Sequence, residues 1–373
     1  MLIVADSKIP FLNSVFEPYA DVRYLDPGEI TPETVCDADA LIIRTRTKCA
    51  ATLLDGSRVS MIATATIGTD HIDAAYCAAH GIEWTGAPGC NAASVAQYMT
   101  SALLRVSLRH NVDLRGKTLG VIGCGNVGTK VAAAAAALGM NVLVNDPPRA
   151  EREGNTGFVP LERIQQDADF ISLHVPLMHS GPHRTFHLAD GEFFRNLRKQ
   201  PFFFNTSRGD VTDGNALKDA IVTNRIAGAV LDVWPGEPDI DRGLLSLAEL
   251  ATPHIAGYST DGKANGTSMA VRAVAKHFGI EPLLNFVPAE IPAPADPVVT
   301  LDSASVHPLA DAVFASYDVA TDDAALRASP ESFEALRGSY RVRREFPAYT
   351  VRSDKPMPSE LRDTLLKLGF RLG

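Results

Sequence analysis

The chain has 373 residues, 46% hydrophobic and 21% charged, with a formal net charge of −9. That length calls for two or three domains and that composition excludes a disordered chain. The acidic balance excludes the basic footprint that nucleic acid or an anionic membrane needs, so an anionic substrate would require a local cluster of arginines.

The opening MLIVADSKIP lacks a basic stretch ahead of a long apolar run, so no signal peptide is expected. No apolar segment approaches the roughly 18 residues of a membrane helix. The five cysteines include no C-x-x-C pair, which fits reduced thiols and a cytoplasmic setting. Apolar runs then alternate with helical patterns. LIVAD, DVRYL, ALIIRT, SMIATA and IEWTGA read as strands and DHIDAAYCAAHG as a helix, the alternation of a parallel α/β sheet. The run NAASVAQYMTSALLRVSLRH, 91–110, reads as a long helix with Asn91 as its N-cap.

A second α/β set begins at KTLGVIG, with strands TLGVIG, MNVLVND, DFISLHV, PFFFNTS, IAGAVLD and LATPHIA. Helices fit between them, as in a dinucleotide-binding domain. DGKANGTSMAVRAVAKHFG reads as a helix returning to the first domain, and the proline-rich PLLNFVPAEIPAPADP as a linker. The remainder, with FPAYTVRS and SELRDTLLKLGF, suits a small α+β domain. The expected division is 1–92 plus 258–282, 93–257, and 283–373.

GVIGCGNVG sets Gly123, Gly125 and Gly128 in G-x-G-x-x-G spacing between a strand and a helix. Such a turn lets a pyrophosphate approach the backbone at the helix N-terminus. The next strand ends in Asp146, eighteen residues past Gly128, where a carboxylate can bond a ribose diol and repel a 2′-phosphate. This favours NAD, with Arg149 the one residue that leaves NADP open.

Three later strands end in FFFNTSRGD, AVLDVWPGEP and LATPHIAGYS, at the edge where open α/β sheets bind ligands. They deliver Arg208, Asp232 with Glu237, and His254. An arginine to hold a carboxylate and a histidine to take a hydroxyl proton suit hydride removal from a hydroxy acid. A carboxylate on the other ring nitrogen would orient the histidine. His254 could otherwise be a hydrogen-bonded core histidine. The run HVPLMHSGPHRTFH, with His174, His179, His183 and His187, reads as a loop beside the cofactor, because Ser-Gly-Pro breaks any helical ligand spacing; no metal site is expected.

These motifs resemble the D-isomer-specific 2-hydroxyacid dehydrogenase superfamily, as do the early stretches IIRTRTK and ATATIGTDHID. DPPRAERE, TPHIAGYSTDGKANGT, YDVATDDAALR and LRGSYRVRREFP resemble a branch of it that acts on a phosphorylated hydroxy acid. The resemblance implies a Rossmann NAD domain, a flavodoxin-like substrate domain and a C-terminal domain through which the chain forms a homodimer. It implies Arg208 as the substrate clamp, Glu237 as the partner of His254, and His254 as the acid/base. It assigns Gly123, Gly125, Asn126, Val127, Gly128, Asp146, Val175, Asp232 and Gly257 to the cofactor. Arg44, Thr45, Arg46, Thr66 and Tyr258 are put forward as substrate contacts. Arg44 and Arg46 lie two apart near a strand end and so share a face if the strand continues, with Thr45 and Thr47 opposite, whereas a loop could present both sets; surface charge alone would also explain the arginines. Val175, Asp210 and Asn265 depart from the family pattern. The competing readings are a dehydrogenase of another acid such as 3-phosphoglycerate, and a non-catalytic NAD-sensing protein.

Overall fold

The apolar runs of the first 90 residues form five parallel strands: β1 (Leu2–Asp6), β2 (Asp21–Leu25), β3 (Ala40–Ile43), β4 (Met61–Thr64) and β5 (Glu83–Thr85). Their order is β2-β1-β3-β4-β5, the flavodoxin-like arrangement. Period-two alternation sends Ile3, Ala5, Ile42, Met61 and Ala63 to one face, where they pack with Ala270, Val271 and Val274 of the helix Thr260–Phe278. Val4, Leu41, Ile43 and Ile62 point to the other face, against Leu53, Leu54 and Cys77. The computed structural model describes residues 1–373. In it, residues 1–91 and 259–292 make up this first unit, while 92–258 and 293–373 make up a second.

The second unit carries six parallel strands: β6 (Thr118–Ile122), β7 (Asn141–Asn145), β8 (Phe170–Leu173), β9 (Phe202–Asn205), β10 (Gly228–Leu231) and β11 (Leu250–Ala251). The order is β11-β10-β9-β8-β6-β7. After β7 the chain crosses back over β6 to lay down β8, so the order reverses at β6. That is the switch point at which a doubly wound sheet opens its ligand crevice. The glycine turn leaves β6 at this point.

The same unit contains a three-stranded parallel sheet, β12 (Val298–Leu301), β13 (Thr350–Ser353) and β14 (Arg371–Leu372). The strands are parallel because helices fill both connections, 308–338 and 359–368. Leu301, Val313, Val351 and Leu365 from this region share one buried cluster with Val121, Val131 and Phe204 of the six-stranded sheet. No helix is long and apolar enough to cross a membrane.

One open alternative is decided and one local expectation is corrected. Strand β3 stops at Ile43, and the Thr47 amide donates to the Arg44 carbonyl at 3.2 Å. Residues 44–47 therefore turn, and strand alternation does not set the faces of Arg44 and Arg46. Asn91 precedes the helix Ala92–His110, but its buried Oδ1 accepts no hydrogen bond. Its side chain therefore does not cap the helix; it packs instead against Gly262, where a Cβ would come within 2.9 Å of the Asn91 Cβ.

Candidate active site

The glycine turn has the form its spacing requires. Gly123 sits at φ +85°, and a Cβ on Gly128 would lie 2.0 Å from the Gly123 carbonyl oxygen. At Gly125, by contrast, a Cβ would meet nothing within 4 Å, so the backbone there is open to a ligand. Gly125 is also the N-cap of the 12-residue helix Asn126–Ala137, and no side chain caps it. The amides of Asn126, Val127 and Gly128 therefore form an uncapped positive helix end, suited to a pyrophosphate.

Asp146 ends β7 and braces the turn, accepting from the Cys124 amide at 2.8 Å and the Arg149 amide at 3.1 Å. Arg149 is held by two bonds to Glu153, at 2.9 and 2.7 Å, and donates to the Cys124 carbonyl. The cation that left NADP open is thus already engaged, and the residues fit NAD. A Val175 side-chain carbon would lie 2.7 Å from a Cβ on Gly123, so the residue covers the turn with hydrocarbon where a hydroxyl is usual.

His254 and Glu237 meet directly: Nδ1 and Oε1 are 2.5 Å apart. Burial works to raise the Glu237 pKa, yet the hydrogen bond and charge of His254, the field of Arg337 and the Trp234 amide together hold it below the usual range. Glu237 is therefore an ionised partner for one ring nitrogen, leaving Nε2 as the atom to exchange a proton.

His254 has φ +56°, a left-handed conformation uncommon outside glycine though one that histidine enters more readily than most residues. Asp232 imposes it. The His254 amide donates to the Asp232 carbonyl at 2.7 Å. The Asp232 carboxylate accepts from the amides of Ile255 (2.7 Å) and Ala256 (2.9 Å) and from the Thr252 hydroxyl (2.6 Å). Burial pushes the Asp232 carboxyl upward, against these donors and His254. Tyr98 and Trp234 secure Thr252 from two further sides, at 2.8 and 3.0 Å.

Arg208 follows β9 and donates to the Ser207 carbonyl at 2.8 Å. The next residue, Gly209, is the join between this loop and the one bearing Glu237. A Cβ there would fall 2.0 Å from the Trp234 oxygen and 2.5 Å from the Pro235 nitrogen. No pattern in the sequence singled out Gly209, although its place directly after the arginine was a clue. Asp210 lies in the short turn that follows, its carbonyl accepting from the His187 amide at 2.8 Å.

The four histidines of the 174–187 run are dispersed. His174 is pushed down to about 3 by burial and bonds the hydroxyls of Ser172 (2.8 Å) and Thr206 (3.2 Å). His183 pairs with Glu151, His187 lies 3.9 Å from Asp213, and His179 packs beside the Phe186 ring.

Among the suggested substrate contacts, Arg44 is clamped by the fully buried Asp6 through bonds of 2.8 and 3.2 Å. Thr45 and Arg46 are exposed on the turn. The Thr66 hydroxyl bonds that of Thr64 at 2.7 Å. Asn265 donates to the Cys90 carbonyl at 3.1 Å, which is a structural tie within the first unit. In the second unit, Gly257 follows the residues that Asp232 grips, and the Tyr258 hydroxyl accepts from Arg337 at 3.2 Å.

Comparison with known proteins agrees with this geometry. Residues 92–256 match the family model for the NAD-binding domain of D-isomer specific 2-hydroxyacid dehydrogenases, and residues 291–369 match a domain of unknown function (DUF3410). The chain is 48% identical to erythronate-4-phosphate dehydrogenase of Bacteroides thetaiotaomicron, over 94% of this chain and 99% of that one. It is 38% identical to the protein of the same name from Serratia proteamaculans, over 99% of both chains. Among solved structures, D-lactate dehydrogenase of Aquifex aeolicus in complex with NAD and lactic acid superposes with a TM-score of 0.60 at 25% identity. That match covers 78% of this chain and all of the other.

Proposed function

The chain belongs to the erythronate-4-phosphate dehydrogenases, within the D-isomer-specific 2-hydroxyacid dehydrogenases, and from that premise we propose how its residues oxidise 4-phospho-D-erythronate. The product is 3-hydroxy-2-oxo-4-phosphooxybutanoate, and the family places the step in pyridoxal 5′-phosphate synthesis. When bound, NAD supplies the hydride acceptor.

Arg208 holds the substrate carboxylate by a charge-assisted, bidentate contact. His254 Nε2 takes the C2 hydroxyl proton as the hydride leaves C2. Glu237, ionised and bonded to Nδ1, keeps the ring in the tautomer that presents a bare Nε2 and then stabilises the imidazolium. Asp232 holds the peptide of that ring in its left-handed turn. Asp146 takes the ribose diol and the amides of 126–128 the pyrophosphate, with Gly123, Gly125, Val175 and Gly257 shaping the surface against it. Arg46, Thr45, Thr66 and Tyr258 are assigned to the phosphorylated end of the substrate, with Arg44, held by Asp6, as a fixed charge. The chain acts as a homodimer through residues 283–373.

The observation that carries the reading is the His254–Glu237 pair at 2.5 Å, which joins the loops that follow β11 and β10. The test is the ratio of kcat/KM for 4-phospho-D-erythronate to that for 3-phosphoglycerate. The reading requires a ratio well above one, and a ratio below one would reassign the substrate. Sedimentation of the purified protein checks the dimer; a monomer would remove that part.

A further inference from the structure

One side chain of the C-terminal region reaches the turn that follows His254 at Tyr258. Arg337 ends the short helix Phe333–Gly338. One guanidinium nitrogen bonds the Tyr258 hydroxyl at 3.2 Å and another bonds Glu334 at 2.9 Å. Its Nε is buried and has no hydrogen-bond partner. The guanidinium carbon lies 5.7 Å from the centre of the Tyr258 ring and 5.9 Å from that of Phe333. Tyr340 also packs edge-on against Tyr258, with ring centres 6.1 Å apart. The side chain is only 20% exposed, so Arg337 is a desolvated cation, and such cations are kept for specific work.

Arg343 runs a parallel line from the same region. Fully buried, it donates to the Ile255 carbonyl at 3.2 Å, to the Ser94 carbonyl at 2.6 Å and to Gln97 at 3.0 Å. Ser94 in turn donates to the Ala256 carbonyl at 2.9 Å. The turn 254–258 is thus held by Asp232 from beneath and by two C-terminal arginines from outside.

We propose that Arg337 is a positioning residue of the active site: it fixes the Tyr258 hydroxyl where that hydroxyl meets the substrate. The C-terminal region thereby becomes part of the substrate site, in addition to any role in dimer formation. The inference rests on the function proposed above, because Tyr258 is there a substrate contact. The direction of its field is consistent: Arg337 is one of the groups that keep Glu237 ionised.

The experiment compares wild type with Arg337→Met and Arg337→Lys, assaying NADH formation from 4-phospho-D-erythronate with thermal melting as the control for folding. Arg337→Met should raise KM for the phosphorylated acid about tenfold, the worth of one hydrogen bond to a charged group, and leave KM for NAD unchanged. Arg337→Lys should recover part of the loss, and guanidinium ion added to Arg337→Met should recover more at low millimolar acid than at saturation. A merely structural role would instead lower the melting temperature and raise both KM values together, and that result overturns the inference. So does an Arg337→Met enzyme with wild-type KM for the acid. Wild type that makes no NADH from this acid overturns the functional reading, and this inference with it.

Discussion

Replacing Gly209 by alanine should damage catalysis without adding or removing any chemical group that touches substrate. The new Cβ would be 2.0 Å from the Trp234 carbonyl oxygen, 2.1 Å from its carbon and 2.5 Å from the Pro235 nitrogen, all of them backbone atoms. No side chain can rotate away, so the Arg208 loop and the Glu237 loop must part by about 1 Å to reach ordinary contact. A misplacement of that size in a positioning element costs on the order of 100-fold in rate, which is about 2.7 kcal/mol of barrier. Overpacking also lowers stability by roughly 1–3 kcal/mol. The assay is steady-state NADH formation at 25 °C alongside NAD titration by fluorescence and thermal melting. Gly209→Ala should keep most of its affinity for NAD, since the turn at 123–128 leaves β6, with β8 between it and β9, and lose kcat/KM for the hydroxy acid. Wild-type kcat/KM in a folded variant would refute the coupling of these two loops.

His254→Asn should lower kcat by about 10²–10⁴, the usual worth of a general base, with NAD binding retained by titration. Asp146→Ser removes the carboxylate at the end of β7 and should weaken NAD while improving use of NADP, read as the ratio of their kcat/KM values. Glu237 has a folded pKa below its unfolded value, so its stabilising contribution is full above the unfolded pKa and is lost as pH falls through the folded one. Urea melts of wild type and Glu237→Gln should therefore differ most at neutral pH and converge in acid; a constant difference would deny the ionised pair. Deleting residues 293–373 should yield an unfolded or aggregated chain rather than a folded monomer. Leu301, Val313, Val351 and Leu365 complete the cluster that holds Val121 and Phe204, and circular dichroism of the truncated chain checks it.

The features legible in the sequence were those written in local spacing. The glycine turn followed by Asp146 is a single strand–helix–strand unit, so its residues announce themselves within 24 positions. The alternation of apolar runs with helical patterns likewise announced the first parallel sheet. Arg208, Glu237 and His254 stand out as candidates because each lies in a loop that follows a strand end. The left-handed turn at His254 was not legible, because it depends on Asp232, 22 residues earlier in the chain, accepting from amides that only the fold brings to it. Arg337 lies 79 residues from Tyr258, and no local pattern links them. For Arg44 and Arg46 the sequence left strand and loop both open; the hydrogen bond from Thr47 to Arg44 closes a turn, so the loop alternative holds.

Proton removal by His254 coupled to hydride loss at C2 is tested most directly by isotope transfer. The enzyme is given 4-phospho-D-erythronate carrying deuterium at C2, and the reduced cofactor is recovered and weighed by mass spectrometry. One deuterium per molecule in the recovered cofactor, formed by wild type and about 10²–10⁴-fold more slowly by His254→Asn, is the result expected. Unlabelled reduced cofactor, or labelled cofactor formed at an undiminished rate without the histidine, would contradict it.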